Sequence, residues 1–349
     1  MTAAPTLVAC RDDLADRFGR RIETEGLIEH RFLVAEQPVT FRFAGGRLVE
    51  DLTASFAHLP THDDSGGLTV NCWVADPDDE LPPLPQEAFP ETNLARRVDP
   101  ADASLRTHYD WEGRTILVHD LDTATAWRCC ADPDLIPWWE RAAPLRMSLA
   151  WHLDQNGSSF LHGAAVTRAE DAALIVGPGG SGKSTTALSC LLAGFGYLGD
   201  DYCASSADGE RVHSVYGSAK LAPVGLDAVE GFETLLADAD HMIGTHGEKL
   251  VVWPNRVLAD RMVASARLRA VVAPTVGTTT DSHLEPISPG VALAALAPST
   301  ILQLPGIGSL SLEHMAALTT AVPCWGLTLG SDRDGVVAAI DEVIERSVR

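Results

Sequence analysis

The chain has 349 residues, of which 46% are hydrophobic, and a formal net charge of −22 from 48 acidic and 26 basic side chains. Nucleic acids and anionic membranes bind clustered lysine and arginine, so this charge argues against both as partners. Seven cysteines occur without a C-x-x-C pair, which favours reduced thiols over a disulfide framework or a zinc site. We find neither a signal-peptide pattern nor an apolar run of 18 residues, and we therefore expect a cytoplasmic protein.

Residues 1–145 mix short strand patterns with amphipathic stretches, which predicts a small α+β domain that helps to shape substrate access. The strand patterns are Leu7–Cys10, Arg31–Val34, Val39–Phe43, Leu68–Val74 and a hairpin of Thr115–His119 with Thr125–Cys129, and the amphipathic stretches are Arg11–Arg21 and Leu48–His58. Residues 75–105 are rich in proline and acidic side chains and predict a long surface connection.

Residues 146–349 predict a larger catalytic domain, in which strand and helix patterns alternate. Across the boundary between the two domains, apolar residues at helical spacing predict a helix over Trp138–Leu153 that Pro144 kinks or restarts. The expected strands are Ser158–Thr167, Ala172–Val176, Tyr197–Asp201, Arg211–Tyr216, Lys249–Trp253, Leu268–Pro274 and Cys324–Leu329. The expected helices are Lys183–Ala193, Leu226–Leu236, Pro289–Leu296, Ser311–Thr320 and Arg333–Arg346.

A glycine-rich segment lies between the strand Ala172–Val176 and the helix that follows, in the order that a phosphate loop requires. Its motif residues are Gly177, Gly179, Gly180, Ser181, Gly182, Lys183 and Ser184, with Thr185 next. Glycines let the backbone N–H groups point at phosphate oxygens, and the helix N-terminus favours negative charge. We expect Lys183 to reach the β- and γ-phosphates, Ser184 to bind Mg²⁺ and Thr185 to complete the nucleotide site, so that the cofactors are ATP and Mg²⁺.

Two adjacent carboxylates, Asp200 and Asp201, end the strand after the phosphate-loop helix. Side chains at the carboxyl ends of neighbouring strands face the same crevice, which would bring this pair beside the γ-phosphate. One carboxylate could hold Mg²⁺ while the other orients a substrate hydroxyl and accepts its proton. We predict that Asp200 is the base and that Asp201 contacts the metal; a solvated acidic turn is the alternative.

Only three of the 26 basic residues are lysines, namely Lys183, Lys220 and Lys249. A chain that uses arginine almost everywhere retains lysine where a compact ammonium group is needed. Lys220 and Lys249 are therefore candidates for the same site as Lys183, and ordinary surface lysines are the alternative.

The runs FLHGAAV, LIVGPGGSGKSTTAL and FGYLGDDY resemble the HPr kinase/phosphorylase family, a P-loop group related to phosphoenolpyruvate carboxykinases. The resemblance extends over about residues 150–345 and implies an α/β fold with a kinase core of that type. A looser similarity is to HPr kinase-related proteins encoded beside ribosomal peptide-maturation genes. By the resemblance, His162 would lie near the terminal phosphate and Lys249 would approach the phosphates, with Lys220 and Arg256 as further candidates.

The sequence departs from that family at two places. Thr185 stands where typical members have a glutamate, and no Glu-x-Arg-Gly segment is present, which argues against a reverse phosphorylase activity and against HPr as the substrate. Typical members form hexamers, which leaves a homo-oligomer open. We predict a kinase that transfers the γ-phosphoryl group of ATP to a hydroxyl, most simply Ser or Thr of a peptide or small protein. The alternatives are a small-molecule kinase and a non-catalytic nucleotide-binding sensor.

Overall fold

The computed structural model describes residues 6–76, 81, 97–98, 104–221, 231–236, 239–244, 247–304, 306–307 and 309–348, with side chains excluded at 97–98, 240–249, 309–310 and 348. The chain forms two compact units, one of residues 1–54 and 60–155 and one of residues 55–59 and 156–349. Both units combine helices with mixed sheets, so the fold is mixed α/β. No helix in the described ranges is long and apolar enough to cross a membrane.

The first unit is built on a sheet whose described strands follow the order β1-β2-β3-β7-β6-β5-β4. Its strands are β1 (Leu27–Val34), β2 (Gln37–Ala44), β3 (Leu68–Val74), β4 (Arg97–Val98), β5 (Leu105–Asp110), β6 (Thr115–Asp120) and β7 (Thr125–Cys130). Its helices are α1 (Leu7–Glu25), α2 (Val49–Thr53), α3 (Trp138–Ala142) and α4 (Arg146–Gln155).

Helix α1 corrects the expectation of a strand at Leu7–Cys10, because the helix begins at Leu7. Thr6 caps it by accepting a hydrogen bond from the Ala9 N–H at 3.2 Å. The buried residues lie three or four positions apart and form one apolar face: Leu7, Cys10, Leu14 and Phe18. A four-residue apolar run is compatible with a strand or a helix. The Thr6 cap and the recurrence of buried residues every three or four positions favour the helix.

Several other expectations for the first unit are confirmed. Strands β6 and β7 form the predicted antiparallel hairpin, and the chain between α3 and α4 breaks the helical pattern at Pro144, as predicted. The connection expected over residues 75–105, without strand or helix, is corrected where the structure describes it: residues 97–98 form β4, which pairs with β5, and Leu105 begins β5. Most of the other residues of this segment lie outside the described residues.

The second unit contains a nine-stranded sheet and a three-stranded sheet among its described residues. Its strands are β8 (Ser159–Leu161), β9 (Gly163–Arg168), β10 (Asp171–Val176), β11 (Gly196–Gly199), β12 (Cys203–Ser205), β13 (Arg211–Ser214), β14 (Ala219–Leu221), β15 (Asp240–Gly244), β16 (Gly247–Val252), β17 (Ser265–Val276), β18 (His283–Pro286) and β19 (Cys324–Leu329). Its helices are α5 (Lys183–Leu192), α6 (Phe232–Leu236), α7 (Pro254–Val257), α8 (Pro289–Gln303), α9 (Ser309–Ala321) and α10 (Arg333–Val348).

Consecutive apolar residues of β10 point to opposite faces of the sheet, and each face packs against a different layer of helices. Ala173 and Ile175 belong to a cluster with residues of α5 and α10, and Leu174 and Val176 belong to a cluster with residues of α8 and α9. Helices therefore cover both faces of the large sheet, which explains why β10 is apolar at consecutive positions.

The expected single strand Ser158–Thr167 is in fact two strands, β8 and β9, with His162 between them. Strand β8 pairs with β12, whereas β9 pairs with β10 and β11, so the chain changes neighbours at His162. The carbonyl oxygen of Ile175 would lie 3.0 Å from a Cβ at position 163. Gly163 therefore lets the chain pass close to β10 immediately after the break.

Strand β9 lies between β10 and β11 and is antiparallel to both. The last residues of β10 and β11, Val176 and Gly199, lie opposite the beginning of β9, at Gly163 and Ala165. The residues that follow β10 and β11 therefore meet the residue that precedes β9 at one edge of the sheet. That edge carries the glycine loop, the acidic pair and His162.

Of the expected helix Leu226–Leu236, residues 232–236 form α6 and residues 226–230 lie outside the described residues. The expected strand Tyr197–Asp201 ends at Gly199, so both aspartates lie beyond the strand. All seven cysteines lie within the described ranges and are buried as free thiols.

Candidate functional site

The glycine loop connects β10 to α5, and its backbone conformation requires glycine at two positions. Gly180 has φ of 80° and Gly182 has φ of 100°, a left-handed conformation that side chains disfavour. Gly182 also lacks room for a side chain, because a Cβ there would lie 2.2 Å from the Cδ1 atom of Leu329. Gly179 and Gly180 are exposed and have no heavy atom within 4 Å of such a Cβ, so the loop has an open side.

Helix α5 begins at Lys183 without a capping side chain. The N–H groups of a first helical turn have no intrahelical acceptor and carry partial positive charge, so an uncapped helix start favours an anion. Thr185 is exposed on this turn. The Ser181 side chain is buried, and its oxygen has no hydrogen-bond partner in the described part of the chain.

The Lys183 ammonium lies over the loop. Its Nζ donates to the carbonyl oxygens of Gly177 at 2.7 Å and Pro178 at 3.2 Å. Burial lowers the pKa of Lys183, and the carboxylates of Asp200 and Asp201 partly offset this effect. Lys183 is only 7% exposed and lies within the electrostatic field of the acidic pair.

Asp200 is buried beside the start of α5. Its Oδ2 accepts a hydrogen bond from the backbone N–H of Lys220 at 3.0 Å, and its Oδ1 is buried with no partner among the described residues. Burial and the charge of Asp201 raise the pKa of Asp200, while the Lys220 N–H and the side chain of Ser184 act in the opposite direction. The carboxylate therefore lies next to the hydroxyl that the sequence predicts to bind Mg²⁺.

Asp201 has a different environment. It forms an ion pair with Lys220, and its Oδ1 lies 3.3 Å from His162 Nε2. Burial alone would raise the pKa of Asp201, but the ammonium of Lys220 and the imidazole of His162 outweigh it and hold the pKa well below its ordinary value. The two adjacent aspartates thus differ in the direction of their pKa shifts: the pKa of Asp201 is lowered and that of Asp200 is raised.

Helix α8 supplies groups that the sequence did not point to. Gln303 Nε2 lies 3.3 Å from His162 Nε2, and Tyr202 donates its phenolic hydrogen bond to Gln303 Oε1 at 2.6 Å. Thr300 Oγ1 accepts from the backbone N–H of His162 at 3.0 Å. The chain thus orients His162 through residues about 140 positions away, and no local motif marks them.

The structure brings most of the predicted site residues together. The sequence favoured Lys249 over Lys220 as the second lysine of the site, and in the structure Lys220 is the one that contacts the acidic pair. Lys249 lies on β16 opposite Met242, and its side chain is outside the described residues. Arg256 is exposed, and its guanidinium stacks on the Trp253 ring at 4.5 Å. Lys220, on β14, contacts Asp201 directly. These roles stay predictions, and the geometry now favours Lys220.

The residues present fit a magnesium–nucleotide complex. Mg²⁺ prefers oxygen ligands and usually keeps water and phosphate oxygens, so it needs few protein groups. Within the described ranges no cluster of three or more His, Cys, Asp or Glu side chains could hold a metal ion by itself. The Asp200 carboxyl, whose Oδ1 has no partner among the described residues, and the Ser184 hydroxyl are the kind of oxygen donors that such an ion uses. The open side of the loop and the uncapped helix suit the phosphates.

No protein-family model and no curated protein matches the chain. Among solved structures, similarity is found to the Hpr(Ser) kinase/phosphatase from Coxiella burnetii, with a TM-score of 0.27 and 12% sequence identity. The similar region covers 54% of this chain and 95% of the other. Similarity of this size does not establish a family, so a function has to be inferred from the residues of the site.

Proposed function

We propose that this chain is a kinase that uses ATP and Mg²⁺ to phosphorylate a Ser or Thr hydroxyl of a peptide or small protein. One observation carries the proposal. The glycine loop with Lys183 and the group formed by His162, Asp201 and Lys220 converge at one edge of the same sheet. Phosphoryl transfer needs a phosphate-binding cradle and a group that orients the nucleophile, placed side by side.

On the donor side, the loop amides and the Lys183 ammonium bind the phosphates. Ser184 and Asp200 would hold Mg²⁺, which when bound neutralises charge on the phosphate oxygens. Lys183 already lies at the mouth of the loop, where it donates to two carbonyl oxygens. It exchanges these acceptors for phosphate oxygens without leaving the loop.

On the acceptor side, Asp201 orients the substrate hydroxyl and accepts its proton as the new O–P bond forms and ADP departs. Lys220 and His162 hold the carboxylate ionised and fix its position. This assignment exchanges the roles that the sequence predicted for the two aspartates. The exchange is supported by the neighbours of each carboxyl group. The Ser184 side chain lowers the pKa of Asp200, whereas Asp201 contacts His162 and Lys220.

The peptide acceptor rests on the sequence resemblance and is the part to test first. Precursor peptides encoded near the gene and a synthetic library of Ser- and Thr-containing peptides should be incubated with the protein, Mg²⁺ and ATP. We expect a mass gain of roughly 80 Da on an acceptor, one phosphate. Fragmentation of that product would locate the modified hydroxyl.

Lys183→Met and Asp201→Asn are the matched negative controls, and both should abolish the mass gain. If ATP binds and no peptide is modified, the peptide assignment is wrong and a metabolite kinase or a nucleotide sensor takes its place. If the two variants modify the acceptor as well as the natural chain does, the proposed site is wrong.

A further inference from the structure

Five residues from the N-terminal part of the chain belong to the second unit. Residues 1–54 and 60–155 form the first unit, whereas residues 55–59 form part of the second. We call Ser55–Leu59 the inserted segment. Its Phe56 is 0% exposed and is therefore part of the interior. The roles proposed for the glycine loop and the acidic pair do not involve this segment.

The inserted segment holds the connection that leads from β13 to β14. It makes three contacts there: His58 Nε2 lies 2.7 Å from Ser214 Oγ, the ring centroids of Phe56 and Tyr216 are 5.3 Å apart, and the Ser55 carbonyl oxygen accepts a hydrogen bond from the Gly217 N–H at 2.7 Å. Lys220 follows on β14, shortly after this connection. Its ammonium pairs with Asp201, and its backbone N–H donates to Asp200. The inserted segment therefore supports the backbone that brings Lys220 to the acidic pair.

A row of aromatic rings connects the same segment to His162. The ring of Tyr216 lies 6.3 Å from that of Tyr202, and Phe160 packs against both, at 6.2 Å and 5.3 Å. The Tyr202 ring in turn lies 5.5 Å from the His162 ring and 5.7 Å from the Lys220 ammonium. Aromatic rings attract one another at centroid distances of about 4.5–7 Å. Tyr202 therefore packs against both side chains that contact the second aspartate.

We propose that the inserted segment is a positioning element for phosphoryl transfer. Phe56 supports the Tyr216 ring and the backbone beside it. These two routes fix the side chains of Lys220 and His162, and those two orient Asp201. The inference rests on the proposed function, because it takes this aspartate as the group that accepts the proton. Closely packed interiors transmit displacements, and a shift of about 1 Å in a reacting group can cost about 100-fold in rate. The catalytic unit then includes residues that the sequence assigned to the accessory domain.

Turnover kinetics with a matched control test the inference. Phe56→Leu keeps an apolar side chain and removes the ring that packs on Tyr216. Phe195→Leu makes the same change at another phenylalanine of the second unit that is 0% exposed. It lies beside Arg168, at the end of β9 opposite His162. Turnover of Mg²⁺–ATP should be measured with the acceptor peptide, and with water as the acceptor where no peptide is modified. We expect Phe56→Leu to lower kcat about tenfold at an unchanged KM for ATP, and Phe195→Leu to change kcat by less than about twofold.

The outcomes separate this inference from the proposed function. Equal losses of kcat in the two phenylalanine variants would overturn the inference while the kinase stands, because the inserted segment would then be ordinary core. A raised KM for ATP at an unchanged kcat would also overturn it, since the segment would then act on the phosphate side. If Phe56→Leu does not fold, His58→Ala, at a partly exposed position of the segment, gives the same decision. It should lower kcat about threefold or more, and an unchanged kcat would overturn the inference. If the natural chain turns over ATP with neither a peptide nor water, this inference and the proposed function fail together.

Discussion

Replacing either aspartate of the acidic pair by asparagine removes one charge at nearly constant volume, yet the two changes should affect stability differently. Asp201 forms an ion pair with Lys220 and contacts His162. Removing one member of a buried pair costs about 3–5 kcal/mol, and because the Asp201 side chain is 23% exposed we expect about 2–3 kcal/mol for Asp201→Asn. Burial and repulsion from Asp201 raise the pKa of Asp200. Asp200→Asn should therefore leave the free energy of unfolding unchanged or higher, although both variants should lose phosphoryl transfer.

Urea unfolding near neutral pH would measure both free energies, and hydrogen exchange of peptides from β11 and β14 would assign the change to this unit. The double variant Asp201→Asn with Lys220→Met is the matched control. It also removes the ammonium that has lost its Asp201 carboxylate, so it should recover part of the stability lost in Asp201→Asn. Equal losses for the two single aspartate variants would refute the argument, because the pair would then have no asymmetric environment.

Acid should destabilise the first unit, because burial holds the pKa of His119 at about 3 and that of His152 at about 4, against 6.5 in the unfolded chain. Below about pH 6.5 the unfolded chain binds protons at both histidines and the folded chain does not, so the free energy of unfolding falls. At about pH 5 the fall should reach about 4 kcal/mol for the two histidines together. In urea titrations, His119→Phe should show roughly half of that fall. Gly182→Ala should cost about 1–3 kcal/mol and abolish ATP binding in calorimetry, whereas Gly179→Ala, with open space around the new Cβ, should keep its melting temperature. Gln303→Leu should lower kcat about tenfold in a peptide phosphorylation assay and leave the KM for ATP unchanged, because the Gln303 side chain orients His162 beside the acidic pair.

The sequence predicted those parts of the fold in which local pattern and tertiary packing agree. The strand before the glycine loop, the helix after it and the strand Cys324–Leu329 all lie where their patterns placed them. The N-terminal helix was missed over its first turn because Leu7–Cys10 is apolar at consecutive positions. Thr6 caps the helix, and the buried residues recur every three or four positions as far as Phe18. This helical period becomes visible only over a stretch longer than Leu7–Cys10.

The candidate site was predictable only where a motif marks it. The glycine loop and the acidic pair have sequence signals, but the choice between Lys220 and Lys249 depends on how β14 and β16 pair, which no local pattern reports. Gln303 has no signal at all, because its partner His162 lies in another element. The break between β8 and β9 was also hidden, since apolar residues continue through it.

The change of neighbours at His162 also determines when the site can form. Strands β8 and β9 are separated by one residue, yet they lie far apart in the strand order β11-β9-β10-β17-β13-β12-β8. The sheet has to bend until these two strands meet, and it closes only after β10 has paired with β17, a contact between Ala172 and Leu268. Pairing between residues so distant in sequence is slow, because loop closure precedes the gain in contacts. During refolding, the pairing of β9 with β10 and β11 can therefore bring His162 beside the glycine loop and the acidic pair before the sheet closes. The contacts that orient His162, from Thr300 and Gln303 on α8, can follow later, so phosphate binding can recover earlier than catalysis.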